Sequence, residues 1–214
     1  MSGNTPPAAG GPAGPAEPGA AARRRRLRAD ARRNIDALLE AAKQVFAATG
    51  VDAPAKRICD LAGVGVGTLY RHFPQRADLV AAVFRREVDA CAASAAELAA
   101  THEPGAALEQ WLHRYTEFLA TKRGLAAALH RIDPEGTALS AYFRERFEPV
   151  LGSLLEAAAA AGEIRADVTA AELLHAVANL CVSAPGYGAD QSRRMVSLLV
   201  DGLRHRAAAR RGRS

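Results

Sequence analysis

The sequence predicts an all-α protein: an N-terminal three-helix helix-turn-helix unit followed by a larger C-terminal helical domain. Three observations lead there. Apolar residues recur at three- and four-residue steps through most of the 214-residue chain. Alanine and leucine dominate the hydrophobic fraction while aromatics are few, a composition that favours helix. No stretch shows the strict alternation of a half-buried strand.

Taken in order, residues 1–22 are rich in Pro, Gly and Ala and carry almost no large apolar group. Such a segment cannot bury enough surface to offset ordering, so it is expected to be a disordered tail. From Asp30 the texture changes. Ile35, Leu38, Leu39, Ala42, Val45 and Phe46 mark one face of an amphipathic helix, and Gly50 is placed to cap it. Pro54 suits the first turn of a second helix, which is expected to carry Ile58 and Leu61 inward and to stop at Gly63. A short third helix runs from about Gly65 to Phe73, closed by Pro74. A long fourth helix starts near Gln75 and continues to the THEPG break at Thr101–Gly105.

Further helical segments are expected near 106–120, 124–131, 137–161, 170–183 and 190–208, separated by stretches containing Gly, Pro or Asp. Pro149 should kink or divide the 137–161 segment. The expected organisation is therefore a tail over 1–22, an arginine arm with the helix-turn-helix over 23–75, a helical ligand-binding and dimerisation domain over 76–206, and a basic tail over 207–214.

The stretch GVGVGTLYRHF at Gly63–Phe73 decides between two functions. A phosphate-cradling glycine loop needs a preceding strand and either GxGxxG spacing or a following lysine. KRICDLA before Gly63 reads as helix, and the spacing is GxGxG with no lysine, so that reading fails. A helix-turn-helix accounts for each residue. Ile58, Leu61 and Val64 supply the inner face, Leu69 and Phe73 close it at i and i+4, and Gly63 permits a left-handed turn.

Val66, Gly67, Thr68, Tyr70 and Arg71 then face outward on a helix that reads the major groove of double-stranded DNA. Val66 and the Thr68 methyl suit thymine methyls, and Arg71 suits a bidentate contact to guanine. The Thr68 and Tyr70 hydroxyls, His72, Lys56 and Arg76 suit phosphates. Arg25, Arg26 and Arg28, from the run that begins at Arg23, are expected in a disordered arm entering a minor groove. The competing readings are a packing role for Tyr70 and a plain surface role for His72.

On these residues the segment from about Asp30 to Val83 resembles the DNA-binding domain of the TetR family of transcriptional regulators. Ile58–Cys59, Ala62–Gly63–Val64, Gly67–Phe73 and Leu79 carry the resemblance. KRGLAAAL at Lys122–Leu129, AGEIRADV at Ala161–Val168 and LLVDGLR at Leu198–Arg204 resemble the C-terminal domain of the family's actinobacterial-type members. Gly65 departs from the serine cap frequent in the family, and Arg76 from a frequent lysine. Cys59 stands where a small apolar residue is usual, which suits a buried thiol.

The resemblance implies a homodimer, a small-molecule effector of unknown identity, and a ligand-responsive repressor working in the cytoplasm. Repressor and activator remain open from sequence. A helical interaction module that binds acidic partners, or DNA non-specifically, is the alternative function.

The residues support pairing on their own. Leu173, Leu174, Val177, Leu180 and Cys181 form one apolar stripe, and Met195, Leu198, Leu199, Gly202 and Leu203 another. Two such helices per subunit make an intersubunit four-helix bundle, unless the stripes serve only the monomer's core. Trp111, Tyr115 and Phe118, with Tyr142, Phe143 and Phe147, are candidates to line an effector cavity, although core packing explains them equally well. His175 and Asn179, one turn apart, are either ligand contacts or part of a solvated face.

The bulk numbers are compatible with this reading. A net charge of +5 and a pI near 9.5 permit a nucleic-acid partner. Cys59, Cys91 and Cys181 are odd in number and widely spaced, which argues against a disulfide framework or a zinc site. No apolar run approaches the roughly 20 residues of a membrane span, and no membrane partner is expected. No nucleophile–base pair or metal-ligand set stands out, so no catalytic residue, cofactor or metal is expected.

Overall fold

In a computed structural model, residues 18–135, 137–181 and 188–211 are described, and all regular structure among them is helical. Helix α1 spans Pro18–Thr49, α2 Ala55–Ala62, α3 Val66–His72 and α4 Arg76–Thr101. The C-terminal part contains α5 over Pro104–Ile132, α6 over Thr137–Ala160, α7 over Ala170–Leu180 and α8 over Ala189–Arg211.

The N-terminal unit is built on the face of α1 that carries Leu38, Ala42, Val45 and Phe46. These pack with Ile58, Cys59, Leu69, Phe73 and Leu79 from the next three helices. Gly50, at φ 82°, ends α1 with its N–H donating to the Phe46 carbonyl. Ion pairs fasten this unit to the rest: Lys43 to Glu87 at 2.7 Å, Arg86 to Glu40 at 3.5 Å, and Arg131 to Asp52 at 3.5 Å.

The C-terminal domain packs α4, α5 and α6 around an aromatic cluster. Trp111 stacks on Tyr115 with centroids 5.8 Å apart, and Phe147 meets Trp111, Tyr115, Phe118 and Phe143 edge-on. The buried polar tips are satisfied: Trp111 Nε1 donates to the Cys91 carbonyl at 3.0 Å, and the Tyr115 hydroxyl to the Leu174 carbonyl at 3.3 Å. A reciprocal cap between Thr169 and Glu172 starts α7. Helix α8 lies against α5 through Arg204–Glu109 at 2.9 Å and Arg193–Glu117 at 2.7 Å.

Several expectations are corrected. The two segments expected at 106–120 and 124–131 are one helix, α5, running through Gly124. A mid-helix glycine costs about 1 kcal/mol, less than burial of Leu125, Ala128 and Leu129 beyond it returns. Helix α6 is not divided at Pro149, with Phe147, Leu151, Leu154 and Leu155 buried on either side. Pro54 is the N-cap residue of α2 and precedes its first turn.

Residues 18–22, expected without order, begin α1; residues 1–17 of the expected tail lie outside the described residues. Arg25, Arg26 and Arg28 accordingly lie on a helix and not on a disordered arm. Leu61, expected inward, is 54% exposed. The inward face of α2 runs through Ile58, Cys59 and Ala62, and Leu61 falls on its outer flank.

Candidate nucleic-acid interface

The geometry of the interface begins at Gly63. Its φ of 66° turns the chain after α2, and the Val64 N–H donates to the Cys59 carbonyl at 3.1 Å. Gly65, extended at φ −67° and ψ 144°, is the N-cap of α3 and offers no side-chain cap. Leu69 and Phe73 are buried in the shared core, which fixes the rotation of α3 about its axis.

That rotation leaves Val66, Gly67, Tyr70 and Arg71 on one exposed face, at i, i+1, i+4 and i+5. Tyr70 is 53% exposed, so its packing alternative fails. Thr68 and His72 are half-buried at the edges of this face, the His72 ring tilted against Phe73. A Cβ built at Gly67 meets no protein atom within 4 Å, so packing within the chain does not require glycine there.

Two basic groups flank the face. Lys56 is exposed on α2 but its ammonium is held by Asp60 at 2.7 Å. Arg76 opens α4 with its guanidinium 5.3 Å from the Phe46 ring centroid, a stack that limits where it points. Arg57 joins the residues the sequence points to: it is exposed beside Lys56, and among the described residues no acidic side chain pairs with it. Its only signal in the sequence is that adjacency.

The expected effector residues divide. Trp111, Tyr115, Phe118 and Phe147 are core, whereas Tyr142 sits half-buried at the surface with its hydroxyl donating to Asp89 at 2.8 Å. Burial raises the Tyr142 pKa, and the hydrogen bond to Asp89 raises it further. Phe118 borders a polar cavity beside Lys43, Glu87 and Arg114, while Phe143 lines a less polar one of about 270 Å3 between α4, α5 and α6, with Phe84, Leu129, Pro134 and Leu139 as its other apolar walls. Lys122 and His130 supply polar groups there. The Lys122 ammonium lies 5.5 Å from the Phe143 centroid, and although the residue as a whole is exposed, desolvation lowers its pKa. His175 and Asn179 are exposed on α7, away from this cavity.

The expected dimer stripe also divides. Leu173, Val177, Cys181 and Leu203 are buried in the monomer's own core, and Leu199 packs partly against it. Leu180, Leu198 and Gly202 remain exposed, with Met195 half-buried. Leu198 is 57% exposed. Sequence periodicity merges these two faces because each helix carries both. Among the described residues, no group of three or more His, Cys, Asp or Glu side chains is placed to hold a metal ion. No helix there is long and apolar enough to cross a membrane.

An exposed seven-residue helix held by a left-handed turn on a small helical unit, followed by a larger helical domain, defines a helix-turn-helix transcriptional regulator. Residues 38–83 match the bacterial regulatory proteins of the tetR family, and residues 103–205 match the C-terminal domain of SbtR-like transcriptional regulators. A TetR transcriptional regulator of Streptomyces coelicolor is similar at 38% identity and a TM-score of 0.71, over 79% of this chain and 98% of that one. A TetR regulatory protein of Mycobacterium vanbaalenii is similar at 37% identity and a TM-score of 0.66, over 83% and 99%. The chain belongs to the TetR family of transcriptional regulators. It also matches an HTH-type transcriptional regulator of Staphylococcus aureus at 39% identity over 64 residues, 29% of this chain and about a third (35%) of that relative's length.

Proposed function

We propose that the protein is a ligand-responsive homodimeric repressor that reads a near-palindromic operator, without enzymatic activity of its own, in the cytoplasm. The observation that carries this is the exposed face of α3, on which Val66, Gly67, Tyr70 and Arg71 converge while Leu69 and Phe73 lock the helix inward.

In the complex, Val66 and the Thr68 methyl meet thymine methyls, and Arg71 reaches a guanine edge. Tyr70, Thr68, His72, Lys56, Arg57 and Arg76 hold phosphates, Lys56 exchanging Asp60 for a phosphate oxygen. Arg25, Arg26 and Arg28 add positive charge beside the groove. Two copies, joined through the exposed Leu180, Leu198 and Gly202 faces of α7 and α8, place two such helices in successive major grooves about 34 Å apart.

The effector is a small, largely apolar molecule seated between Phe84, Leu129, Leu139 and Phe143, with Lys122 as its polar anchor. This position suits switching. Phe84 belongs to α4, which leads directly from the recognition helix, and His130 is followed by Arg131, which pairs with Asp52 of the DNA-binding unit. A ligand that favours a different tilt of α4 changes the spacing of the two recognition helices and lowers operator affinity.

Selection of bound sequences by wild type and by Arg71→Ala tests the assignment. Loss of preference at a single base position, at a cost of about 1–3 kcal/mol, is expected for a guanine contact. Uniform weakening at every position would make Arg71 a phosphate contact and overturn its role in reading sequence.

A further inference from the structure

Among the side chains described in the first half of α1, none packs against another element. Ile35 is the first of them to pack against the core, yet the helix begins at Pro18, so about 17 residues, or roughly 25 Å of helix, precede it. Residues 18–34 contain seven arginines and one aspartate. Their charge exceeds the +5 of the whole chain, so the rest of the protein is slightly acidic and the basic pI resides largely here.

This helix is unfavourable by itself. Arg23, Arg25, Arg26 and Arg28 are all exposed within two turns of one another, where neighbouring arginines repel. Asp30 pairs with Arg33. Arg25, Arg28 and Arg32 fall at i, i+3 and i+7 along one line, and Asp36 is the first acidic residue further along it. Leu27 is the sole large apolar residue between Arg23 and Asn34, so the helix lacks the apolar face that a membrane surface requires. An external polyanion is what relieves that repulsion.

We propose that the helical extension of α1 is a second DNA-binding element, a phosphate clamp lying on the duplex backbone that flanks the operator. The inference rests on the operator-binding reading for its partner. In the homeodomain, another three-helix unit of helix-turn-helix type, the segment preceding the first helix reaches the minor groove adjacent to the major groove being read. An extended arm enters that groove. A helix about 10–12 Å across does not fit one about 6 Å wide, and the neighbouring major groove is taken by α3. Its arginines therefore meet phosphates across the groove and contribute affinity without sequence information.

The test compares wild type with the variant R23Q/R25Q/R26Q/R28Q, each titrated against operator and scrambled duplexes across a salt series. The expected result is a log Kd against log salt slope shallower by up to about seven, near 0.9 for each phosphate contact that the four arginines of each of the two copies make. The operator-to-scrambled ratio and the melting temperature should be unchanged, and hydroxyl-radical protection should shorten at both ends of the site. An unchanged slope would make the extension a solvated tail and overturn the clamp. A ratio that falls at flanking A·T positions would mean minor-groove reading and also overturn it. A wild type without operator preference, whose slope still depends on the four arginines, would retain the clamp and defeat only the operator reading.

Discussion

The hydroxyl of Tyr142 donates to the carboxylate of Asp89 at 2.8 Å, tying α6 to α4 one residue before Phe143 lines the cavity. Arg146 reaches the same Asp89 oxygen at 2.7 Å and lies over the Tyr142 ring. The latch thus joins a cavity wall to the helix that leads from the recognition helix. Tyr142→Phe should cost about 1 kcal/mol in denaturant unfolding. Paired with Asp89→Asn in a double-mutant cycle, it should be non-additive by about 0.5 kcal/mol or more, as contacting residues are. Additive losses would mean the two groups act independently.

Tyr70 is exposed while the buried Leu69 and Phe73 hold α3 to the core, so Tyr70→Ala should weaken operator binding while thermal stability stays nearly unchanged. Unfolding of the domain would show that Tyr70 is structural.

Gly67 separates stability from function. It sits inside a helix at a position where a Cβ meets nothing within the protein. Gly67→Ala should therefore stabilise the free protein by up to about 1 kcal/mol through helix propensity. If the α3 backbone lies close to DNA, the same change should reduce operator affinity. A variant that is both more stable and binds as well as wild type would place the DNA away from this face.

Leu198 and Leu203 lie on one helix with opposite exposures. Leu198→Glu should yield a folded monomer by sedimentation and circular dichroism, with operator binding lost. Leu203→Glu places a charge in the monomer's core and should unfold the protein, since an unpaired buried charge costs several kcal/mol. A dimer that survives Leu198→Glu would move the interface elsewhere.

The three thiols test burial directly. Cys59, Cys91 and Cys181 are all buried, and desolvation pushes the Cys91 thiol up to about 12. Burial, with the nearby Asp60 charge, also raises the Cys59 thiol. Both stay protonated at pH 8 in the native state and should resist alkylation until denaturant exposes them. Rapid labelling of native Cys59 would show that the α1–α2 packing opens readily.

The sequence made the helix-turn-helix legible because local and tertiary signals agree there. Leu69 and Phe73 at i and i+4 fix the inner face of α3, and Gly63 is needed where φ becomes positive. Leu61 reads as inward, although it is exposed, because a three-residue step from Ile58 fits an inward face as well as the actual set of Ile58, Cys59 and Ala62 does. Gly124 reads as a break, and Pro149 as a kink or a break, because local propensity ignores the burial of Leu125, Leu129, Phe147 and Leu151 around them. The cavity was not legible in a single helix's pattern because its walls come from α4, α5 and α6. Periodicity finds aromatics such as Trp111 and Phe143 alike, and only packing separates core from lining.

The central claim is operator reading by α3. Its most direct test is titration of the purified protein against a labelled fragment from upstream of its own gene, with a scrambled duplex of equal length as control, at several salt concentrations. The account predicts binding that persists at physiological salt and exceeds the control by about a thousandfold or more. Equal, steeply salt-dependent binding to both duplexes, with no sequence enriched in a genome-wide selection of bound fragments, would contradict it.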